Sequence, residues 1–176
     1  MASTNRQRNK PKAERTDSEK VTANWRKTLG LFERGEFSVS IIRAATAAEL
    51  MTNLAVRHEL VTTRDLPPKF VDHLLVWANG VAGKFHKLLL PMLEGTERHT
   101  AVSALSKALK RVSDERNKVV HRGEFKKQST ARAALVAAHE YIQGLAATYA
   151  PSMHLREPGA SILRSRKDAR NGDARG

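Results

Sequence analysis

Apolar residues recur at helical spacing in five segments of this chain. In residues 17–34 they are Val21, Trp25, Leu29 and Phe32, with Asp17 or Ser18 placed to cap the start and Gly35 to end it. Residues 37–62 carry Ile41, Ile42, Ala45, Ala48, Ala55, Val56 and Leu60, with Ser38 as a candidate cap. A third segment opens at Pro67-Pro68, because proline suits a first helical turn. It continues through Phe70, Leu74, Leu75, Trp77, Val81, Phe85 and Leu88–Leu90, with Gly80, Gly83 and Pro91 as points of kinking or division. The fourth spans 97–121, with Val102, Leu105, Ala108, Leu109, Val112, Val119 and Val120 on its apolar face and Gly123 after it. The fifth spans 129–149, opened by Ser129 or Thr130 and lined by Ala134, Leu135, Ala138, Ile142, Leu145 and Ala146. Short loops between long amphipathic segments predict an all-α fold. The expected architecture is an up-and-down bundle of four to five helices over residues 17–150. Residues 1–16 and 151–176 lack that periodicity and are expected to be disordered basic tails.

Composition agrees with helices: 40% of the 176 residues are hydrophobic, Ala and Leu dominate, and aromatics are 5%. Charge changes the picture more. The formal net charge is +13, and residues 1–20 and 151–176 carry only +3 each. The remaining +7 lies on residues 21–150, so basicity is not confined to the ends. Such a surface attracts phosphate-rich partners, nucleic acid above all; simple solubility is the other reading. The absence of cysteine excludes disulfides, iron–sulfur clusters and thiolate zinc sites. The seven histidines show no metal-ligand spacing, and there is neither a Gly-rich phosphate loop nor a G-x-S-x-G elbow. No metal and no cofactor are therefore expected. No apolar run approaches the roughly 20 residues of a membrane span, and the first residues show no apolar signal core. The expectation is a cytoplasmic protein without membrane contact.

Some polar residues interrupt the apolar stripes. Arg116 lies four residues after Val112 and four before Val120, a core-facing slot on a regular helix. Burying an arginine there requires a counter-charge. Glu49 falls among Ile42, Ala45, Thr52 and Val56 and is the candidate partner. Asp114, Asn117 and His121 form a polar stripe beside the Arg116 face, either a solvated surface or part of a site. Five residues separate Arg116 from His121, about 140° around a regular helix, so their convergence needs a helix end or a second subunit. Trp25 and Trp77 read as core residues, and Arg57-His58-Glu59 as a solvated face. Lys107, Lys110, Arg111, Lys118, Arg122, Lys126 and Lys127 form a basic group able to follow an RNA backbone.

The segment Glu115-Arg116-Asn117-Lys118-Val119-Val120-His121-Arg122-Gly123 resembles the signature of the HEPN superfamily, an arginine followed by a polar residue and, after four to six residues, a histidine. The resemblance covers about residues 37–149 and includes Ala47-Ala48-Glu49-Leu50 in an early helix. A second match to the bare spacing, Arg132 to His139, sits two turns apart in the last helix and is discounted. What the resemblance implies is a helical bundle, commonly a homodimer whose two motifs form one cleft. Active members are metal-independent endoribonucleases of toxin–antitoxin, phage-defence or RNA-processing systems. Others are non-catalytic RNA-binding or dimerisation modules. Carried onto this chain, His121 is the general acid/base, Arg116 the phosphate clamp and Asn117 an orienting group. Glu49 and Asp114 are supporting acids, and Lys118, Arg122 and Arg111 are RNA contacts. RNA, a second copy and an antitoxin or defence-system protein are the implied partners.

Overall fold

The computed structural model describes residues 15–159; the expectations for residues 1–14 and 160–176 lie outside them. Within the described residues the fold is a helical bundle without strands. Helix α1 (Asp17–Glu33) packs along α2 (Phe37–Arg57) after a short turn. Thr16, rather than Asp17 or Ser18, caps α1. Its hydroxyl accepts from the Glu19 amide while the Glu19 carboxylate accepts from the Thr16 amide, a reciprocal capping box. Ser38 does not cap α2; its hydroxyl accepts instead from the Lys126 amide in a distant loop.

Helix α2 runs on through a wider π-helical turn, His58–Thr62. It is the central element, and of residues 37–62 only Val39 and Thr62 are exposed. This stretch is long and apolar enough to cross a membrane, but it is mostly buried within the bundle. Its small side chains Ala44, Ala45, Ala47, Ala48 and Ala55 are buried on several sides, which lets neighbouring helices approach closely.

The expected third segment divides. Helix α3 (Pro68–Trp77) ends at a turn, and α4 (Gly80–Lys84) leads through a π-helical stretch, Phe85–Leu89, into α5 (Leu90–Leu93). The wider π geometry directly precedes Pro91, which has no amide hydrogen to offer a regular helix. The fourth segment also breaks, into α6 (Arg98–Ser103) and α7 (Ser106–Arg122). Gly123 ends α7 in the left-handed region at φ 64°, where a side chain would strain the backbone. Helix α8 (Gln128–Tyr149) begins after Lys127 and closes the bundle against α2 and α7. A hydrogen bond between the Thr52 and Tyr141 hydroxyls, 2.7 Å long, joins α2 to α8 in the core.

Residues 151–159 are not a free tail. Met153 and Leu155 are buried, the Trp25 indole donates to the Arg156 carbonyl at 2.8 Å, and Gln143 Oε1 accepts from the Leu155 amide. Arg132 and His139 are likewise structural. Arg132 lies over the Phe32 ring, and His139 packs on Trp25.

Glu59 also departs from expectation: it is fully buried. The π turn carries it inward, where Arg64, Arg98 and Tyr149 all donate to its carboxylate. Arg64 also donates to the Met92 carbonyl at the end of α5. One carboxylate thus ties α2, the loop after it, α5, α6 and α8 together. Burial pushes this carboxyl up, but the bonds from Arg64, Tyr149 and Arg98 together hold it below the usual range. A carboxyl held lower in the folded state stabilises the fold above its unfolded pKa and ceases to do so as pH falls through the folded value. Wild type should therefore lose thermal stability on acidification below about pH 5. Glu59→Gln should be less stable at pH 7 by about 2–3 kcal/mol, since bonds to a charged group are lost. Its melting temperature should vary less than that of wild type between pH 5 and pH 3. Parallel acid-dependent melts of the two proteins would refute this.

Candidate functional site

Helix α7 is held at its C-terminal end by Glu115. This carboxylate accepts from Lys118 at 2.7 Å, and Lys126 Nζ lies 3.1 Å from its other oxygen, an ion-pair contact without hydrogen-bond alignment. Lys126 also donates to Glu124. The bond from Lys118, and secondarily Lys126, keeps the Glu115 carboxyl below its ordinary value despite partial burial. Glu124 raises Lys126 above its ordinary value in return. The loop after Gly123 is thereby folded back on α7, and its Lys126 amide reaches Ser38 of α2. Sequence reasoning overlooked Glu115 as an anchor, although its i,i+3 spacing to Lys118 was a readable signal.

Arg116, Asn117 and His121 come together on this braced helix end. Arg116 Nη1 donates to Asn117 Oδ1 at 3.0 Å and lies 3.2 Å from His121 Nε2. The long arginine side chain spans the angular offset that separates the two positions, so neither a helix break nor a second subunit is needed for contact. A guanidinium only donates. His121 Nε2 must then be the bare acceptor, which places the ring proton on Nδ1.

Arg116 is half-buried rather than core-facing, and it does not meet Glu49. Beyond Val112 the helix leaves the core: Val119 is only partly buried, and Val120, expected on the apolar face, is exposed. The slot four residues after Val112 opens on a cleft of about 330 Å³ instead. One wall is α2 with Ile42, Ala45, Thr46 and Glu49; another is the turn Asn79–Ala82; the third is Ser113, Arg116 and Asn117. The turn is tight, since a Cβ on Gly83 would stand 2.8 Å from the Ala78 carbonyl oxygen. Glu49 accepts from Lys84 at 2.6 Å. Lys84 is almost wholly buried, so it needs a counter-charge more than the half-exposed Arg116 does. This lysine was missed because it stands in an apolar run as a single charge, Gly83-Lys84-Phe85; its position three residues after Val81 was the available hint.

Asp114 is not part of the group. It pairs with Lys110 at 2.6 Å on the exposed side of α7. Of the basic residues, Lys110, Lys118 and Lys126 are engaged by carboxylates. Lys107, Arg111, Arg122 and Lys127 are exposed and have no ion-pair partner among the described residues. Trp25 is in the core as expected, but Trp77 is 73% exposed, two residues before Asn79 of the cleft. A larger cavity of about 650 Å³ opens between the start of α1 and residues 149–153. Its lining contains none of Arg116, Asn117 and His121, whereas the smaller cleft is lined by Arg116 and Asn117.

The tautomer is measurable. In wild type at pH 8, imidazole nitrogen spectra should show His121 mainly as the Nδ1–H form. Arg116→Ala should move it toward the Nε2–H form, which free imidazole side chains favour. An unchanged tautomer ratio would mean that the Arg116–His121 contact does not persist in solution.

Comparison with family models, curated proteins and solved structures finds no match to this chain.

Proposed function

We propose that this protein is a metal-independent endoribonuclease of HEPN type, cleaving RNA at the Arg116–Asn117–His121 group. The observation that carries this reading is the contact of the Arg116 guanidinium with His121 Nε2 beside a cleft that Arg116 and Asn117 line. Both groups suit RNA cleavage without metal. The ribose 2′-oxygen attacks the adjacent phosphorus, its proton passes to a base, and the bond to the 5′-oxygen breaks with protonation of that oxygen. The products are a 2′,3′-cyclic phosphate and a 5′-hydroxyl.

His121 Nε2 carries the lone pair that accepts the 2′-OH proton. In the free protein that lone pair is covered by Arg116. An incoming phosphate competes for the guanidinium, draws it from the imidazole and so uncovers the base as it binds. The same guanidinium then faces the charge that grows on the phosphoryl oxygens. Asn117 Oδ1 limits the orientations Arg116 samples. Arg111, Arg122 and the ion-paired Lys118 lie on the same helix and supply attraction to the backbone.

In-line displacement sets the departing oxygen opposite the attacking one, out of reach of a single imidazole. A second copy of the chain would supply the second proton donor. That requirement, with the exposed Val120 and Phe125 flanking His121, supports a homodimer. Intracellular RNA as substrate places the protein in the cytoplasm. An uncontrolled nuclease of this kind would act as a toxin or phage-defence effector and would need an inhibitory partner.

Incubation with labelled RNA in excess EDTA tests the reading. Wild type should cleave and leave cyclic phosphate ends. His121→Ala and Arg116→Ala should each lower the rate by about 10²–10³-fold, and Asn117→Ala by roughly tenfold, equivalent to one modest hydrogen bond. RNA binding without cleavage by wild type would instead identify a non-catalytic RNA-binding or dimerisation module. In cells, expression should slow growth, and His121→Ala should relieve that effect. Equal toxicity of the two would separate growth inhibition from this site.

A further inference from the structure

The cleft beside Arg116 has a composition that phosphate binding does not explain. A carboxylate, Glu49, lines it with its side chain 38% exposed, and a carboxylate repels phosphate. The carboxylate is neutralised from behind by Lys84, whose side chain is only 8% exposed. The pair is therefore close to neutral, and what remains toward the cleft is directional hydrogen-bond acceptance by Glu49. Lys84 bonds one carboxylate oxygen, Oε1; the other has no hydrogen bond among the described residues. Across the cleft, on α7, the Ser113 hydroxyl oxygen is buried and has no partner among the described residues. A buried polar atom without a partner is costly unless a ligand or water completes it. Ile42, Ala45, Val81 and Ala82 supply apolar walls. Flat apolar sides with an acceptor edge and a hydroxyl suit a planar heterocycle, and Arg116 at the rim puts a phosphate beside it.

We propose that this cleft is a base-reading pocket that takes an unpaired guanine of single-stranded RNA, next to the phosphate held by Arg116. Guanine alone among the common bases presents two adjacent donors, N1–H and N2–H, on its Watson–Crick edge. A fixed carboxylate accepts both; adenine and cytosine offer one amino group each, and uracil one imino hydrogen. Single-stranded RNA is the fitting form, because that edge is occupied in a duplex. The Lys84 contact holds the carboxylate in place, so less ordering is needed on binding.

This inference rests on the endoribonuclease reading for its substrate, but its test does not need cleavage. The probes are fluorescent 2′-O-methyl hexamers, which lack the attacking hydroxyl: hexauridylate and its variants with one internal guanosine, adenosine or cytidine. Wild type should bind the guanosine hexamer about tenfold more tightly than the others, as expected for one bidentate base contact. Glu49→Gln should abolish that preference without weakening binding of hexauridylate, because it leaves the Lys84 charge uncompensated beside the phosphate. Ser113→Ala, which removes no bond within the protein, should reduce the preference several-fold. Circular dichroism melts would confirm that both variants are folded. Equal binding of the four hexamers by wild type would overturn the proposal, as would a guanine preference that survives in both variants. Guanine preference in a protein that cuts no RNA would retain the pocket and remove the nuclease. Cleavage with no base preference would do the reverse.

Discussion

Helix α2 is surrounded on nearly every side, and that enclosure governs the rest of the molecule. A helix in such a position can present only small apolar side chains or polar ones whose partners come from other elements. Its alanines meet the first requirement and allow α1, α7 and α8 to close around it. Thr52, Glu59 and Glu49 meet the second, each through a different neighbour: Tyr141, the Arg64–Arg98–Tyr149 group, and Lys84. These three side chains thus tie α2 to other elements, whereas the buried Ser40 hydroxyl turns back to the Phe37 carbonyl of its own helix. Glu49 differs from the other two because its tie comes from one side only. The other side is the cleft.

The same enclosure explains why Arg116 stands where it does. Helix α7 buries its face against the core as far as Val112, and from Ser113 to Arg122 its residues are only partly buried or exposed. The turn Asn79–Ala82 stands off from α7 at that point, held in place by the close approach of Gly83 to Ala78. Core packing therefore ends in a gap rather than in solvent. Arg116 is the first residue of its stripe past the core, and its aliphatic stem covers the gap while its guanidinium stays reachable. Gly123 then stops the helix one residue past His121, and the Glu115–Lys126 contact fixes the loop behind it. The candidate site is an edge of the core, braced by ion pairs on the side away from the cleft.

How much of this was readable beforehand follows from the range of each interaction. Helix positions come from periodicity and end signals that act within a few residues, and α1, α2 and α8 lie where the pattern put them. The breaks at Ala78–Asn79 and Ala104–Leu105 were less legible, because they answer to packing against other helices. Ser38 shows the same limit: its local setting resembles a cap, but a loop from residue 126 claims its hydroxyl. Glu59 departs from the local pattern because a polar triplet at a helix end normally faces water, and only the π turn brings its last residue inward. Arg116 and Glu49 were both recognised as out of place, and both do line the cleft. Pairing them failed because Lys84 is more deeply buried and competes for the same carboxylate.

That failed pairing matters for function. An arginine locked to Glu49 would be a structural cross-brace, with its charge already spent inside the fold. With Glu49 held by Lys84, the side-chain partners of Arg116 among the described residues are Asn117 Oδ1 and His121 Nε2 rather than a carboxylate. Neutral acceptors hold a guanidinium less strongly than a phosphate does, because hydrogen bonds to ionised groups are about twice as strong. Under the proposed function, that difference would favour transfer of Arg116 from imidazole to phosphate on substrate binding. One buried lysine, by taking the acid away from the arginine, leaves the arginine available to a ligand and the histidine available to a proton.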